Sequence, residues 1–342
     1  MMLTVPGNLL LAGEYLVLDE GGQGLAVAVE PRAEASARTS PAGIWSIQAM
    51  MGETRLLWQP GREDELPLAG AMMQSCAEAL EVRGKSMPAP LTIDVDSSAF
   101  FSSDGRKAGF GSSAAAAVAI AMLVGRSTGL EDAQLIDFAA EAALAGHRAA
   151  QGGRGSGYDI FTSLYGGCGI FTGGIKPRWQ DLGNLPPINA ILVPGPAAVH
   201  SSEAVGAFRR WLARQTMEAR TILEEMQAGV AALVDATVSY DSSAFSAALG
   251  QAGTAGRLLG EAIGFSAFIS PPNQYQGLEV KALGAGNELG LLVLKTTSAG
   301  VPDCPEFDKP LTGNRNPPGR FPEDIPFACL PFKPTGGPKW LL

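Results

Sequence analysis

The sequence predicts a globular protein that mixes helices with strands and has room for two domains. Its 342 residues can bury two separate cores, and one large α/β domain is the alternative. Apolar runs of strand length alternate with segments of helical period. Glycine and proline gather at residues 182–187, where the pattern changes, so we place a domain boundary there. The predicted units are residues 1–184, residues 185–297 and a proline-rich tail over residues 298–342.

The N-terminal half begins with a predicted β-hairpin. Its strands cover residues 9–18 and 24–29, separated by a turn at residues 19–22 that contains two glycines. Short alternating stretches follow as far as Trp58. Beyond them, apolar spacing predicts helices over 68–82, 109–123 (opened by a glycine–serine turn), 135–150 and 159–166, and a strand over 91–95.

The C-terminal half is predicted to contain two strands and two helices. In chain order these are a strand over 190–193, one long helix over 202–233, a helix over 242–263, a glycine loop over 284–290 and a strand over 291–294. After Thr297 proline is frequent and periodic signals are few. We expect that tail to be irregular and packed over the surface, or partly disordered.

The charge balance excludes some classes of partner. The formal net charge is −9, which opposes a nucleic-acid backbone or an anionic membrane surface as the main partner. A small-molecule substrate fits better. Only 17% of the residues are charged and 43 are glycine, so an acidic ligand would be held by backbone N–H groups in local loops.

The cysteines and the first residues indicate the cellular compartment of the protein. Four cysteines stand far apart, which argues against a zinc site and gives little support to disulfides: Cys76, Cys168, Cys304 and Cys329. The first residues lack a basic leader, and no apolar run is long enough to span a bilayer. We therefore predict a cytoplasmic protein. The sequence allows a homodimer but does not fix the oligomeric state.

A glycine–serine loop before the alanine-rich helix is the strongest local signal. Lys107 precedes the loop, which consists of Gly109, Phe110, Gly111, Ser112, Ser113 and Ala114. Unpaired N–H groups and the positive end of the helix dipole can bind phosphate there, and a serine hydroxyl can ligate Mg²⁺. The alternative is a serine N-cap on a buried helix. A Walker A loop ending at Ser86 is excluded, because Ala79 stands where its first glycine belongs.

Two further glycine-rich turns carry polar residues. In the turn over 151–159, Asp159 lies where a loop becomes a helix, so it can act as a base or orient a hydroxyl, or it can be only an N-cap. The turn over 281–288 can contact a ligand or be an ordinary hairpin. We interpret His147 and His200 as structural or surface residues.

These stretches occur in an order that resembles the superfamily of galactokinase, homoserine kinase, mevalonate kinase and phosphomevalonate kinase. The similarity is greatest to the phosphomevalonate kinases. It rests on Gly13-Glu14-Tyr15, on the glycine–serine loop with Lys107 before it, and on Gly155-Ser156-Gly157-Tyr158-Asp159 followed by Tyr165-Gly166-Gly167. It runs from about residue 6 to residue 294.

The resemblance implies a fold and a pair of cofactors. The fold would be an N-terminal α/β domain with a left-handed β-α-β unit and a C-terminal ferredoxin-like α+β domain. ATP, Mg²⁺ and a small-molecule substrate would bind between the two domains.

The resemblance also implies roles for individual residues. Residues 109–114 would wrap the ATP phosphates, with Ser113 near Mg²⁺. Asp159 would interact with the acceptor oxygen, and Lys107 would stabilise the transferring phosphoryl group. Arg154 and Lys281 are candidate cations for a phosphorylated acceptor. The substrate contacts would be Asn8, Glu14, Ser156, Gly157, Ser201, Ser202, Gly284, Ala285 and Gly286.

The implied activity is phosphorylation of 5-phosphomevalonate to 5-diphosphomevalonate, a step towards isoprenoid precursors. Two departures leave the acceptor and the turnover open. Asn8 stands where related kinases usually carry lysine, and the third motif reads Gly-Ala-Gly-Asn-Glu-Leu from Gly284. The alternatives are a mevalonate- or sugar-type hydroxyl kinase of the same superfamily, and a sensor of nucleotide or metabolite with little turnover.

Overall fold

A large sheet forms the N-terminal part of the molecule. The computed structural model describes residues 1–62, 65–102, 105–153, 155–196, 201–284, 288–294 and 330–341, with the backbone alone at 201, 202, 330 and 331. The strands of the large sheet are β1 (Met2–Ala12), β2 (Gln23–Thr39), β3 (Ser46–Met51), β4 (Thr54–Trp58), β5 (Leu91–Asp96), β6 (Cys168–Thr172), β7 (Arg178–Gly183) and β12 (Lys339–Leu341). Their order is β12-β1-β2-β5-β3-β4, with β6 beside the first part of β2 and β7 beyond β6. Only β3 and β5 are parallel within the described sheet.

Four helices accompany this sheet: α1 (Pro67–Val82), α2 (Ser112–Ser127), α3 (Asp132–Ala150) and α4 (Tyr158–Tyr165). Helices α2 and α4 lie against β1 and β2, while α1 and α3 pack on each other and on α2. The alanines of α2 allow close approach, and Gly125 near its end admits the side chains of Leu135 and Phe138. The start of α2 and the start of α4 are thereby held next to β1.

A second, antiparallel sheet follows. Its strands are β8 (Ala190–Pro194), β9 (Val280–Ala282), β10 (Leu289–Val293) and β11 (Leu330–Pro331), in the order β11-β8-β10-β9. Helices α5 (Ser201–Leu212), α6 (Met217–Val238) and α7 (Ser242–Ile263) complete this part. One apolar core runs from the large sheet into these helices, and a smaller cluster around Ile191 and Leu292 lies on the second sheet.

Several predicted elements are confirmed. The predicted mixture of helices and sheets is confirmed. The helices predicted over 68–82 and 242–263 correspond to α1 and α7. The predicted hairpin is present, but its first strand ends at Ala12 and residues 16–18 form a short 3₁₀ helix. The domain limits, the ferredoxin-like topology and the hand of the β-α-β unit stay predictions.

The prediction of one long helix over 202–233 is wrong, because the helix is interrupted between α5 and α6. Gln215 has a left-handed backbone with φ of 50°, which no α-helix accommodates. Thr216 then caps α6, its hydroxyl accepting a hydrogen bond from the Ala219 N–H at 3.0 Å. Apolar spacing continues across the break and therefore conceals it.

The prediction of an irregular tail is wrong for residues 330–341, which we call the C-terminal strap. Strand β11 pairs with β8 in the second sheet, and β12 pairs with β1 in the large sheet. Arg32 holds the strap between them, donating to the Thr335 hydroxyl and to the carbonyls of Gly336 and Gly337. Within the described residues no helix has the length and apolar character needed to cross a bilayer.

Candidate functional site

A cavity of about 510 Å³, here called the central cavity, opens where the two sheets approach each other. One side is formed by the end of β1 and the first turn of α4, and the other by Val205 of α5 and Gly284 after β9. Its lining residues are Leu10, Glu14, Tyr15, Val17, Leu18, Ala150, Gln151, Gly155, Ser156, Tyr158, Asp159, Val205 and Gly284. Four predicted site residues are therefore brought together: Glu14, Ser156, Asp159 and Gly284.

Asp159 enters the cavity from the first turn of α4. The N-cap of this helix is Gly157, whose φ of 95° requires glycine, so the N-cap alternative for Asp159 is wrong. One carboxylate oxygen, Oδ1, accepts a hydrogen bond from the Ile160 N–H at 2.9 Å. The other, Oδ2, lies 3.6 Å from Nδ1 of His147, and 21% of the side chain is exposed towards the cavity.

Arg148 fixes the loop in front of α4. Its guanidinium donates to the carbonyls of Gly155 at 2.9 Å, Ser156 at 2.6 Å and Gly174 at 3.3 Å. Burial lowers the pKa of Arg148, and the neighbouring Asp159 carboxylate opposes that effect. Because three carbonyls share one planar cation, the loop presents Ser156 to the cavity in a single arrangement.

The glycine–serine loop, residues 109–114, opens α2 without a side-chain cap. Its Gly109 and Gly111 have φ of 80° and 73°, and Gly111 is the N-cap, so the serine N-cap alternative is wrong. The N–H groups of the first helical turn are thereby left for a ligand. The side chains of Phe110 and Ala114 are buried in the core, so these two residues offer a ligand only backbone groups.

Asn8 supports this loop from behind. It is 2% exposed, its N–H donates to the Phe110 carbonyl at 3.0 Å, and its Nδ2 donates to the Ser163 hydroxyl at 3.0 Å. A methyl group on Gly111 would overlap the Asn8 side chain, so the two residues fit each other. Asn8 lies outside the lining of the central cavity, and its predicted substrate contact stays a prediction.

Glu288 faces the glycine–serine loop from the second sheet, and our residue predictions did not include it. A Cβ atom on Gly109 would lie 3.3 Å from Cγ of Glu288. Burial raises the pKa of Glu288, and the positive charge of the exposed Lys107 opposes that rise. Its signal in the sequence is that it is the single acidic residue in the third glycine turn.

Glu14 and Lys281 form a buried ion pair between the two parts of the molecule. Nζ of Lys281 lies 2.5 Å from Oε1 of Glu14, and the residues are 4% and 7% exposed. Burial raises the pKa of Glu14 and the lysine opposes that rise. Nζ also donates to the Ala282 carbonyl at 3.0 Å, so the ammonium expected to contact a phosphorylated acceptor is already bound inside the protein.

Two tyrosines add hydroxyl groups to the cavity wall. Burial, with a smaller contribution from the Glu14 carboxylate, raises the pKa of Tyr15 to about 12. Burial also raises the pKa of Tyr158, and the nearby Asp159, Glu14 and Glu288 carboxylates add to the shift. Both phenols therefore stay protonated at neutral pH and can donate hydrogen bonds.

His147 joins two of the predicted site residues, although we interpreted it as structural or surface. It is 2% exposed, and its Nε2 lies 3.1 Å from the Ser113 hydroxyl while its Nδ1 faces Asp159. The only hint in the sequence is its place on the apolar face of α3, one turn before the glycine-rich loop.

Residues 71–167 match the family described as GHMP kinases N terminal domain. That segment of the chain is therefore similar to the N-terminal domain of GHMP kinases. The matched segment contains the glycine–serine loop, His147 and Asp159, which are the residues that the structure gathers around the starts of α2 and α4.

A curated relative agrees with this similarity. A phosphomevalonate kinase from Streptomyces sp. (strain CL190) is 34% identical over 181 residues. That alignment covers 47% of this chain and 46% of the relative, so the chain spans about half the length of the curated relative it matches.

Two solved structures share the fold. A Lin0012 protein from Listeria innocua superposes with a TM-score of 0.74 at 18% identity, covering 86% of this chain and 91% of the other. The Streptococcus pneumoniae phosphomevalonate kinase in complex with phosphomevalonate and AMPPNP gives 0.67 at 17% identity, covering 86% and 92%. At these identities the likeness shows the GHMP kinase fold alone.

Some predicted residues lie outside the described part of the chain: Arg154, His200, Ala285 and Gly286. For Ser201 and Ser202 the backbone alone is described, at the start of α5. Four residues further along, Val205 lines the central cavity, so the N-terminal turn of α5 lies close to it. The roles assigned to all these residues stay predictions.

Proposed function

We propose that the chain is an ATP- and Mg²⁺-dependent small-molecule kinase. The observation that carries the proposal is the shared contact of Ser113 and Asp159 with His147. Ser113 lies in the first turn of α2 and Asp159 in the first turn of α4, so the loop suited to phosphate and the carboxylate suited to an acceptor face one place. Phosphoryl transfer depends mainly on such positioning and on neutralising charge.

The start of α2 fits the phosphates of a nucleotide. Gly109 and Gly111 have left-handed backbones and no side chains, and the first turn of the helix has no side-chain cap. Bound ATP would supply the phosphoryl group, and bound Mg²⁺ would offset charge on its oxygens. Residues 109–114 would hold the phosphates through backbone N–H groups, Ser113 would offer its hydroxyl oxygen to the metal, and Lys107 would approach from the exposed side.

For the acceptor we propose the phosphate of 5-phosphomevalonate. The support is the resemblance of the motifs and the relative at 34% identity. The bond from the γ-phosphorus to the oxygen that bridges to the β-phosphorus breaks, a bond to the acceptor oxygen forms, and ADP leaves with the electron pair. An ionised phosphate oxygen has no proton to lose, so Asp159 would not act as a base on it and would orient the acceptor by accepting a hydrogen bond from one of its hydroxyl groups. Ser156 and Gly157 would contact it beside Asp159.

A second candidate is transfer to a hydroxyl group of the acceptor, as in a mevalonate- or sugar-type kinase. The lining of the central cavity includes the carboxylates of Glu14 and Asp159 but no lysine, arginine or histidine among the described residues. A hydroxyl acceptor needs no cation, and its proton would pass to Asp159 as the oxygen attacks.

An ADP-release assay against mevalonate, 5-phosphomevalonate, homoserine and sugars, with Mg²⁺ and ATP, tests the proposal. We expect saturable turnover that is fastest with 5-phosphomevalonate. Faster turnover of mevalonate or a sugar would establish the second candidate instead. Saturable ATP binding with no turnover on any acceptor would overturn the kinase proposal in favour of a sensor.

A further inference from the structure

We propose that His147 is a positioning residue that sets the hydrogen-bonding state of Ser113 and the orientation of Asp159 together. This inference rests on the proposed kinase function. His147 lies near the end of α3, at the point where the starts of α2 and α4 approach each other. It contacts one predicted nucleotide residue on one side of its ring and the predicted acceptor carboxylate on the other.

The contacts of the imidazole ring assign its proton. The Asp159 carboxylate 3.6 Å from Nδ1 can only accept, so a proton on Nδ1 is favoured and a lone pair there would be repelled. On the other side, Nε2 lies 3.1 Å from Oγ of Ser113 and 3.2 Å from Nε2 of Gln151. Both groups can donate, Nε2 offers one lone pair, and the Ser113 hydroxyl is the nearer donor. The proposal therefore places the donor of the ring at Nδ1, facing Asp159, and the acceptor at Nε2, facing Ser113.

The contact with His147 orients the hydroxyl group of Ser113. If Nε2 accepts the Ser113 hydroxyl proton, both lone pairs of Oγ point away from α3, which is the state that a metal or phosphate ligand requires. At the same time the Nδ1–H group attracts Oδ2 of Asp159 and restricts its rotation. A single buried ring therefore orders one group on the nucleotide side and one on the acceptor side.

Two isosteric substitutions separate these contacts. In His147→Asn the amide nitrogen takes the place of Nδ1 and keeps the contact with Asp159, whereas in His147→Gln the amide takes the place of Nε2 and keeps the contact with Ser113. We expect His147→Asn to raise KM for MgATP about tenfold with kcat near normal, and His147→Gln to lower kcat about tenfold with KM near normal. His147→Leu loses both contacts and should show both effects.

A matched control separates positioning from loss of stability. Met72 is fully buried in α1 and packs directly on Gly146, the residue before His147. We expect Met72→Ala to lower Tm at least as much as His147→Asn while both kinetic constants change less than twofold. If Asn, Gln and Leu at position 147 alter KM and kcat in the same proportion and Tm falls in parallel, the residue only packs and the proposal is wrong.

Nuclear magnetic resonance of the full chain tests the same inference without any kinase assay. The chain has two histidines, so ¹⁵N-labelled histidine gives two ring systems, and a His200→Asn variant assigns them. We expect the proton of His147 on Nδ1, an Nε2 resonance that moves in Ser113→Ala, and an Nδ1 resonance that moves in Asp159→Asn. A proton on Nε2 would overturn the proposal, because Nε2 could not then accept from Ser113. If turnover is absent but these shifts appear, the proposed function fails and the positioning stands.

Discussion

The two carboxylate oxygens of Asp159 have different surroundings, and this difference limits how the residue can act. Oδ1 is held by the Ile160 N–H within the helix, while Oδ2 lies near His147 and the cavity. The oxygen that meets an acceptor is therefore Oδ2. About a fifth of the Asp159 side chain is exposed, which is enough for contact with a substrate but restricts access of water.

Replacement of Asp159 by asparagine should lower kcat by roughly a hundredfold or more, because the amide keeps the shape but cannot act as a base or attract the same donors. The Ile160 hydrogen bond can persist, so Tm should change little. Steady-state kinetics and thermal unfolding of the same sample check this expectation. Turnover within threefold of the original would remove Asp159 from the mechanism.

Replacement of Glu288 by glutamine should raise stability above pH 5 and have no effect at lower pH. Burial raises the pKa of this carboxyl above its ordinary value of 4.5, so the unfolded chain ionises first as pH rises. The folded state then binds more protons, and its free energy of unfolding falls until the pH passes the folded pKa. Urea unfolding of both proteins from pH 4 to pH 7 measures the difference. A constant difference across this range would contradict the pKa shift.

At the scale of secondary-structure elements, caps decide where helices begin. Helix α7 starts after Asp241, whose carboxylate accepts from the Ser243 and Ala244 N–H groups at 2.9 and 3.0 Å. Helix α6 starts after Thr216 in the same way. Each cap satisfies donors that would otherwise be unpaired at a helix end.

Replacement of Thr216 by alanine should cost about 1 kcal/mol of stability, because the Ala219 N–H loses its acceptor. Urea unfolding measures this, and kcat should stay unchanged since the cap is remote from the cavity lining. Thr254→Ala is the matched control in the interior of α7, where alanine is the better helix former. Equal losses from the two substitutions would refute a capping role.

The sequence was informative where a local rule decides the structure. Apolar spacing located both α1 and α7. The five-residue strand β6 was missed because it follows α4 directly and pairs with β2, far away in the chain. His147 was missed for a similar reason: its partner Ser113 lies 34 residues away, and no spacing rule joins residues on different helices.

At the scale of the whole molecule, a strand pairing and an ion pair reinforce the shared apolar core in holding the N-terminal and C-terminal parts together. The C-terminal strap adds one strand to each sheet, and its Gly336 and Gly337 pack on Gly166 at the end of α4. The Glu14–Lys281 ion pair joins the end of β1 to β9 beneath the central cavity. The ion pair therefore joins two of the elements that bound the central cavity.

Replacement of Lys281 by methionine should destabilise the protein by about 3–5 kcal/mol, because it leaves the buried Glu14 carboxylate without a partner. Urea unfolding measures the loss. The double variant Glu14→Gln with Lys281→Met removes both charges and should recover most of it. A double variant no more stable than the single one would show that the pair is not the source of the effect.

The absence of cationic side chains from the described lining of the central cavity affects how fast an anionic ligand arrives. The net charge is −9 and the Asp159 carboxylate lies in the cavity wall, while the charge of Glu14 is offset by Lys281, so a nucleotide approaches against a repulsive field. Dissolved salt screens that repulsion over about 10 Å at 0.1 M. Association should therefore become faster as ionic strength rises, which is the reverse of the behaviour of a basic cleft, and the nucleotide should arrive most readily when Mg²⁺ already offsets part of its charge.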